Sequence, residues 1–346
     1  MIHLFRQYIL KYTKKEFWPA QIKLLPVFFY IGYLCIKAKS IFFFSACNPG
    51  IPFGWLIGDA KYPVLKQIPG EYAPKTIFVP EWASLKETVI EMGKKGIIYP
   101  CIIKPDIWEW WIGVEKLHNK KELQAYIDKY NQDVVIQEYI PGENELTVMY
   151  YRYPGHKKWV VDFIAGKEFL SVMGDGKRTL AQLVAQGKRT KFFFRVFAKE
   201  HKNNRNMIIK KDEKYVLQFK WNHRQGTLIY DASHFITPEL HETFDTIADN
   251  IEWFYFWRCD VKYDDINDFL RWKDFKLLDI NGVWAEPLHV NDVKYSLLDV
   301  WKMRIKHRNI IYRIAKVNHN KGLKYGTLKE FIALKKNFTM QMKKYQ

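Results

Sequence analysis

Tyr99-Pro-Cys-Ile-Ile-Lys104-Pro-Asp-Ile-Trp-Glu-Trp-Trp-Ile112-Gly-Val114 decides how the rest of this chain is read. Its first half is a short apolar run with the composition of a buried strand, and Lys104 stands where that run passes into a loop. A lysine leaving a buried strand is a common way to hold nucleotide phosphates. The loop is unusual for that task. Trp108, Glu109, Trp110 and Trp111 occupy positions where a phosphate cradle carries small residues, since only these let backbone amides close over an anion. In a nucleotide site the rings would either cover the ligand as a lid or fill its cavity.

Outward from this segment, strands and helices alternate. Hydrophobic periodicity and turn residues predict strands at 75–79, 99–104, 134–138, 145–152, 158–164, 215–219, 227–231, 257–263 and 274–281. Helices are expected at 84–95, 119–131, 178–201 and 237–254, and the last two strands are separated by a polar hairpin. The texture is α+β, without repeats or low-complexity tracts. Residues 327–346 have helical spacing with a basic face, suited to packing or to an anionic surface.

With 346 residues and 48% apolar content, the chain can bury a large core divided into two or three lobes. Cys35, Cys47, Cys101 and Cys259 show neither CxxC nor His-Cys spacing, so no disulfide framework or zinc site is indicated and a reducing cytoplasm is expected. The formal charge of +18 is concentrated in residues 1–40, 188–224 and 315–346, which carry +6, +9 and +7. Such a distribution favours an anionic partner: nucleotide phosphates, a membrane surface at the inner face, or nucleic acid. Nucleic acid ranks last, because no zinc finger, helix-turn-helix or paired-aromatic signature is present.

Leu24 to Ile36 is a run of thirteen largely apolar residues containing Pro26, short of the ~20 that a bilayer span needs. Nor is it followed by a small-residue cleavage site of the signal-peptide kind. It reads as an ordinary buried helix, or as a peripheral helix with aromatics at headgroup level and Lys23 and Lys37 outward.

The second informative constellation is Asp260, after Phe256-Trp-Arg-Cys, with Asp279 and Asn281 flanking Ile280. In a strand, Asp279 and Asn281 project to one face. If the two strands pair, two carboxylates and an amide oxygen converge, a hard-oxygen set suited to Mg²⁺. The alternative is a hairpin with solvated acids. No Ser-His-Asp or Cys-His arrangement competes, and His201, His223, His234, His241 and His289 lack a partnered motif.

Lys104, Glu138 at the end of the strand 134–138, Glu145, then Asp260 and the Asp279-Ile280-Asn281 pair resemble, in this order, the ATP-grasp superfamily. Gly58-Asp-Ala-Lys61-Tyr-Pro-Val-Leu-Lys66 is similar to the lysine-bearing helix of D-alanine–D-alanine ligases, followed by Pro74-Lys-Thr76 at the Pro-x-Thr entry. Gly174-Asp-Gly-Lys-Arg-Thr-Leu180 resembles a loop of cyanophycin synthetase and related amide ligases. The likeness covers roughly residues 55–290.

What the resemblance implies is specific. The fold would be two α+β lobes gripping a nucleotide: an N-terminal basic, aromatic region (1–56), lobe A (57–140), lobe B with the metal site (141–292) and a basic helical extension (293–346). Lys61 and Lys104 would meet phosphates, Gln137 to Ile140 (through Glu138 and Tyr139) would form the hinge reading adenine, and Glu138 and Glu145 would face adenine and ribose. Asp260, Asp279 and Asn281 would hold Mg²⁺, with Asp279 one methylene shorter than the family's usual Glu. Asn222 and Arg224 would fall near the transferred phosphate. Apart from the resemblance, Glu286 and His289, just beyond the metal pair in sequence, are expected to touch an acceptor. The implied reaction is ATP- and Mg²⁺-dependent activation of a carboxylate substrate as an acyl phosphate, captured by an amine or thiol acceptor. Positioning and charge neutralisation dominate such chemistry, which is why the residues are cations and metal ligands rather than a nucleophile. The competing reading is a catalytically impaired ATP-grasp scaffold that binds nucleotide or a membrane-surface partner.

Overall fold

The computed structural model describes residues 18, 20–58, 60–107, 113–130, 132–142, 144–157, 159–194, 197–198, 201–217, 227–271 and 273–342. Along the chain run helices α1 (Ala20–Ala38), α2 (Tyr62–Leu65), α3 (Leu85–Lys95), α4 (Lys120–Tyr130), α5 (Leu180–Gln186), α6 (Pro238–Asp249), α7 (Ile266–Leu270), α8 (Leu297–Asn320) and α9 (Leu328–Met342). The strands are β1 (Thr76–Val79), β2 (Cys101–Pro105), β3 (Glu115–Leu117), β4 (Val134–Glu138), β5 (Glu145–Tyr151), β6 (Val160–Glu168), β7 (Ser171–Met173), β8 (Lys214–Val216), β9 (Leu228–Asp231), β10 (Phe256–Tyr263) and β11 (Phe275–Asn281). The α+β expectation holds. Two compact units divide the chain: 30–164, 233–287 and 305–346 form the larger, and 1–29, 165–232 and 288–304 the smaller.

Two antiparallel sheets build the larger unit. The first runs β1-β4-β2-β3 and packs Ile77, Cys101, Ile103, Val134 and Ile136 against Met92 of α3 and Leu123 and Tyr126 of α4. Helix α3 starts where Ser84 and Glu87 exchange hydrogen bonds as a capping box, and it stops at Gly96, whose φ of 68° is left-handed. In the second sheet β11, β10, β5 and β6 are successive neighbours. Its apolar face buries Trp257 against Tyr150 and against Phe244 of α6, at ring-centroid distances of 5.2 and 5.9 Å.

Two distant segments brace β10 and β11. Asn48 is fully buried: its side-chain oxygen accepts from the amides of Tyr255 and Phe256, and its Nδ2 donates to the Phe256 carbonyl. Gly54, at φ 59°, brings its backbone against β11's exit, where the Val283 amide donates to its carbonyl at 3.0 Å. A Cβ at Gly54 would stand 2.6 Å from Val283, so no larger residue fits without displacement. From Ile305 onward α8 is core: Ile310, Ile311, Tyr312, Ile314 and Ala315 are buried, and His307 meets Asp162 at 2.6 Å.

The smaller unit pairs β7 with β8 and the end of β6 with β9. Leu170, Val172, Leu180, Leu183, Val184, Phe193 and Ile209 form its core beneath α5. Between Gly174 and Thr179 the Asp175 carboxylate accepts from the Lys177 and Arg178 amides and pairs with the Arg178 side chain at 2.6 Å.

Three expectations change. The helix expected over 178–201 breaks after Gln186, because Gly187 adopts ψ 139° and its backbone lies so close to Thr190 that a Cβ would sit 2.1 Å from Oγ1. The polar hairpin between the last two strands contains α7, nucleated by Asp265, whose side chain caps the Asn267 and Asp268 amides. The apolar N-terminal run is not a buried helix. It belongs to a 19-residue α1 in which, from Gln21 to Ala38, only Val27 and Leu34 are buried. By length and composition this helix is the one described segment that would suffice to cross a membrane.

Candidate functional site

Alternation along three adjacent strands makes one sheet face polar. On β10, Arg258, Asp260 and Lys262 share a face opposite the one that buries Trp257, Cys259 and Val261. Across β5, Asp260 stands opposite Thr147 and Lys262 opposite Glu145; across β11, Asp260 stands opposite Asp279 and Arg258 opposite Asn281. The expected convergence of Asp260, Asp279 and Asn281 therefore follows from register. Thr147 donates to Asp260 at 2.5 Å, and the Asn281 amide donates to Asp279 at 3.2 Å.

Both predicted lysines reach this face. Lys61 Nζ contacts the two Asp279 oxygens at 2.9 and 3.1 Å, with both side chains buried. Its backbone is fixed by Asp106, the residue after β2, whose carboxylate accepts from the amides of Lys61 and Tyr62 at the start of α2. Lys104 Nζ donates to Gln137 Oε1 at 3.3 Å and to the Leu278 carbonyl at 3.2 Å. That carbonyl is presented by an irregularity. The β10–β11 register skips Leu278 between Asp279 and Leu277, and a bulged residue has a carbonyl to offer.

Burial sets the electrostatics of Lys104. Loss of water pulls its ammonium down to about 8, against the opposing pull of Asp279 and Asp106, while the neighbouring Lys61 cation adds to the fall. An anion arriving here would find a lysine held in low dielectric between neutral oxygens, where added negative charge is worth most.

The hinge residues form a second group beside the first. Glu138 accepts from the Lys75 amide at 2.9 Å while its own amide donates to the Lys75 carbonyl. The Ile140 carbonyl accepts from Lys262 at 2.8 Å, and Lys116 lies 3.6 Å above the Tyr139 ring. Glu145 is buried on the strand opposite Lys262. Glu138 and the Ile140 carbonyl are thus held by an amide and a lysine of the chain itself.

Arg258 was missed by sequence reasoning, although the Arg-x-Asp alternation on a predicted strand places it beside Asp260. Its Nη1 donates to the Glu286 carbonyl at 3.1 Å, and its Nε is buried without a hydrogen-bond partner among the described residues. Glu286 also holds Arg308 at 3.0 Å, and the Arg308 guanidinium lies 4.8 Å from the Trp284 ring. Gln137, expected as part of the hinge stretch, instead accepts from Lys104, and Asp106, which fixes the backbone of Lys61, carried no signal beyond being polar at the end of an apolar strand. His289 is buried in the smaller unit, 5.9 Å from the Tyr295 ring. Asn222, Arg224 and His223, together with Trp108, Glu109, Trp110 and Trp111, lie outside the described residues.

Asp260, Asp279 and Asn281 offer oxygen donors only, the set that Mg²⁺ prefers, with no thiol or imidazole to favour a softer ion. No group of three or more His, Cys, Asp or Glu side chains placed to hold a metal ion occurs among the described residues, so a cation here would draw its remaining ligands from water and substrate.

No family model matches this chain. Over 66 residues it is 35% identical to a formate-dependent phosphoribosylglycinamide formyltransferase of Sulfurisphaera tokodaii, covering 17% of each protein. Among solved structures, it is similar to a bifunctional glutathione synthetase from Pasteurella multocida at 15% identity and TM-score 0.43, covering 71% of this chain and 35% of that one. It is also similar to a D-alanine–D-alanine ligase from Bacillus anthracis complexed with ATP at 14% identity and TM-score 0.41, covering 73% of this chain and 64% of that one. The chain spans about a third of the first and just under two thirds of the second. These solved neighbours are ATP-grasp ligases that form carbon–nitrogen bonds, and the short curated match is an ATP-grasp protein as well.

Proposed function

We propose that this chain is an ATP- and Mg²⁺-dependent ATP-grasp ligase that activates a carboxylate as its acyl phosphate and passes the acyl group to an amine or thiol. The observation that carries this reading is the meeting of Lys61 and Lys104 with Asp260, Asp279 and Asn281 on one polar sheet face within one compact unit. A solvated hairpin would have no reason to bury two cations and two carboxylates together. Burying such groups costs several kcal/mol each unless partners offset it, so the arrangement points to use rather than to stability.

In this reading Asp260, Asp279 and Asn281 hold Mg²⁺, which supplies charge neutralisation to the phosphate oxygens when bound. The chain's own residues do the rest. Lys104, already desolvated, binds the phosphate chain as a cation. Lys61 now neutralises Asp279, and it turns toward phosphate once the carboxylate has another partner. Arg258 stands where a substrate carboxylate or the transferred phosphoryl group needs a guanidinium, its buried Nε still to be satisfied. The Gln137-to-Ile140 backbone faces the base, which requires Lys262 to yield the Ile140 carbonyl. Asn222 and Arg224 complete the anion-binding groups.

One observation favours the scaffold alternative: Lys61, Glu138 and Ile140 are each already engaged by the chain itself. Equilibrium binding and turnover separate the two readings. A ligase releases ADP from Mg·ATP when offered a mixture of carboxylate and amine substrates, and Asp279→Ala lowers that release at least about a hundredfold. A parent protein that neither binds Mg·ATP nor differs from Asp279→Ala would remove the ligase reading.

A further inference from the structure

Helix α1 has two unlike sides. At about 3.6 residues per turn, Ile22, Leu25, Phe29, Tyr33 and Ile36 fall within an arc of roughly 80°. Their exposures are 52%, 54%, 73%, 52% and 80%, and Phe28 at the margin is 56% exposed. On the opposite side Val27 and Leu34 are buried at 2% and 0%. The helix is therefore seated on the protein by one stripe and presents a longer, more apolar stripe outward, for roughly 20 Å along its axis. Soluble proteins seldom leave a contiguous apolar strip of that kind to water.

The surroundings of the strip select its partner. No acidic residue occurs between Glu16 and Asp59, while Lys37 and Lys39 lie exposed at the helix end, with Lys37 Nζ 5.6 Å from the Tyr33 ring. Residues 1–40 carry +6. Aromatic and aliphatic side chains bordered by lysines, in a stretch of sequence without a carboxylate, match a surface that is apolar beneath an anionic layer. An apolar protein groove would satisfy the strip and leave the cations unmatched.

We infer that α1 is an interfacial helix which docks this protein onto an anionic lipid bilayer, lying in the headgroup plane with Ile22, Leu25, Phe29, Tyr33 and Ile36 inserted. It lies along the surface rather than crossing. Within the smaller unit the Trp301 indole donates to the Lys23 carbonyl at 2.9 Å, and within the larger unit Lys37 Nζ lies 5.4 Å from the Tyr312 ring. A crossing helix would have to give up both contacts together with the burial of Val27 and Leu34.

The test uses the full chain with phosphatidylcholine vesicles, with and without phosphatidylserine. Parent protein should co-sediment with the phosphatidylserine vesicles and come off as salt rises. The double variant Phe29→Glu, Ile36→Glu should bind roughly tenfold or more weakly, and Lys37→Glu about fivefold more weakly. Both side chains of the double variant are exposed, so its melting temperature and its response to Mg·ATP should equal the parent's, which keeps this outcome separate from the ligase reading. Absence of parent binding, or equal binding by the double variant, would overturn the inference. So would a homodimer in sedimentation velocity that dissolves in Phe29→Glu without any vesicle binding. Resistance of the bound protein to alkaline carbonate extraction would likewise overturn it, since that marks a spanning helix.

Discussion

Two lysine-bearing segments lie at or just beyond the ends of short strands in this chain, and they treat their charge in opposite ways. Near the end of β2, Lys104 is 4% exposed, donates to the Gln137 and Leu278 oxygens and is pulled down to about 8 by loss of water. After β7, Lys177 and Arg178 lie in an exposed turn that Asp175 closes with hydrogen bonds to both amides. The amides and side chain of that turn hold the Asp175 carboxyl far below its usual range. Charge in the second turn is spent on closing the backbone. In the first, charge is kept where water is scarce, which is where an incoming anion gains most.

The widest separation between the two segments should appear in nucleotide response. Lys104→Ala is expected to lower Mg·ATP-dependent ADP release at least about a hundredfold, and Lys177→Ala to leave it within about twofold. Equal losses in the two variants, read as initial rates, would erase the distinction.

A pH titration sharpens it. The Lys104 proton is lost from the free protein as pH rises through about 8, and bound phosphate would retain it. Affinity for nucleotide should therefore hold below that value and fall about tenfold per unit above it, measured by calorimetry up to about pH 9.5.

Stability gives the smallest contrast, with opposite signs. Because the folded ammonium is less basic than the unfolded one, Lys104 costs stability at neutral pH, and that cost fades as pH climbs from about 8 toward 10.5. Lys104→Met should accordingly stabilise the protein by up to about 3 kcal/mol at pH 7 in denaturant melts. Asp175→Ala should instead speed hydrogen exchange at the Lys177 and Arg178 amides while leaving the nucleotide response intact.

Local patterning made most of the sheets readable in advance. The strand 134–138 appears with the expected bounds, and Ser84 and Gly96 mark the ends of α3 as capping chemistry requires. The site was legible only as far as order along the chain can carry it. Asp279 and Asn281 could be placed on one face, but their closeness to Lys61 depends on a pairing 218 residues apart. The seat of Lys104 depends on a register slip at Leu278 that no periodicity announces. Helix α1 misled in a different way: apolar composition looks alike whether a helix is wrapped by protein or left bare, and only tertiary contacts decide which.

Asn48 sets a schedule for assembly. Among the described residues its buried amide group is satisfied by the backbone of Tyr255 and Phe256, 207 and 208 residues downstream. During synthesis the N-terminal segment must wait for most of the chain to leave the ribosome before this bond can close, and Lys61 must wait longer still for Asp279. At translation rates of about 5–20 residues per second, that is a delay of roughly 10–40 seconds, in which the early hydrophobic segments depend on something other than their native partners for protection.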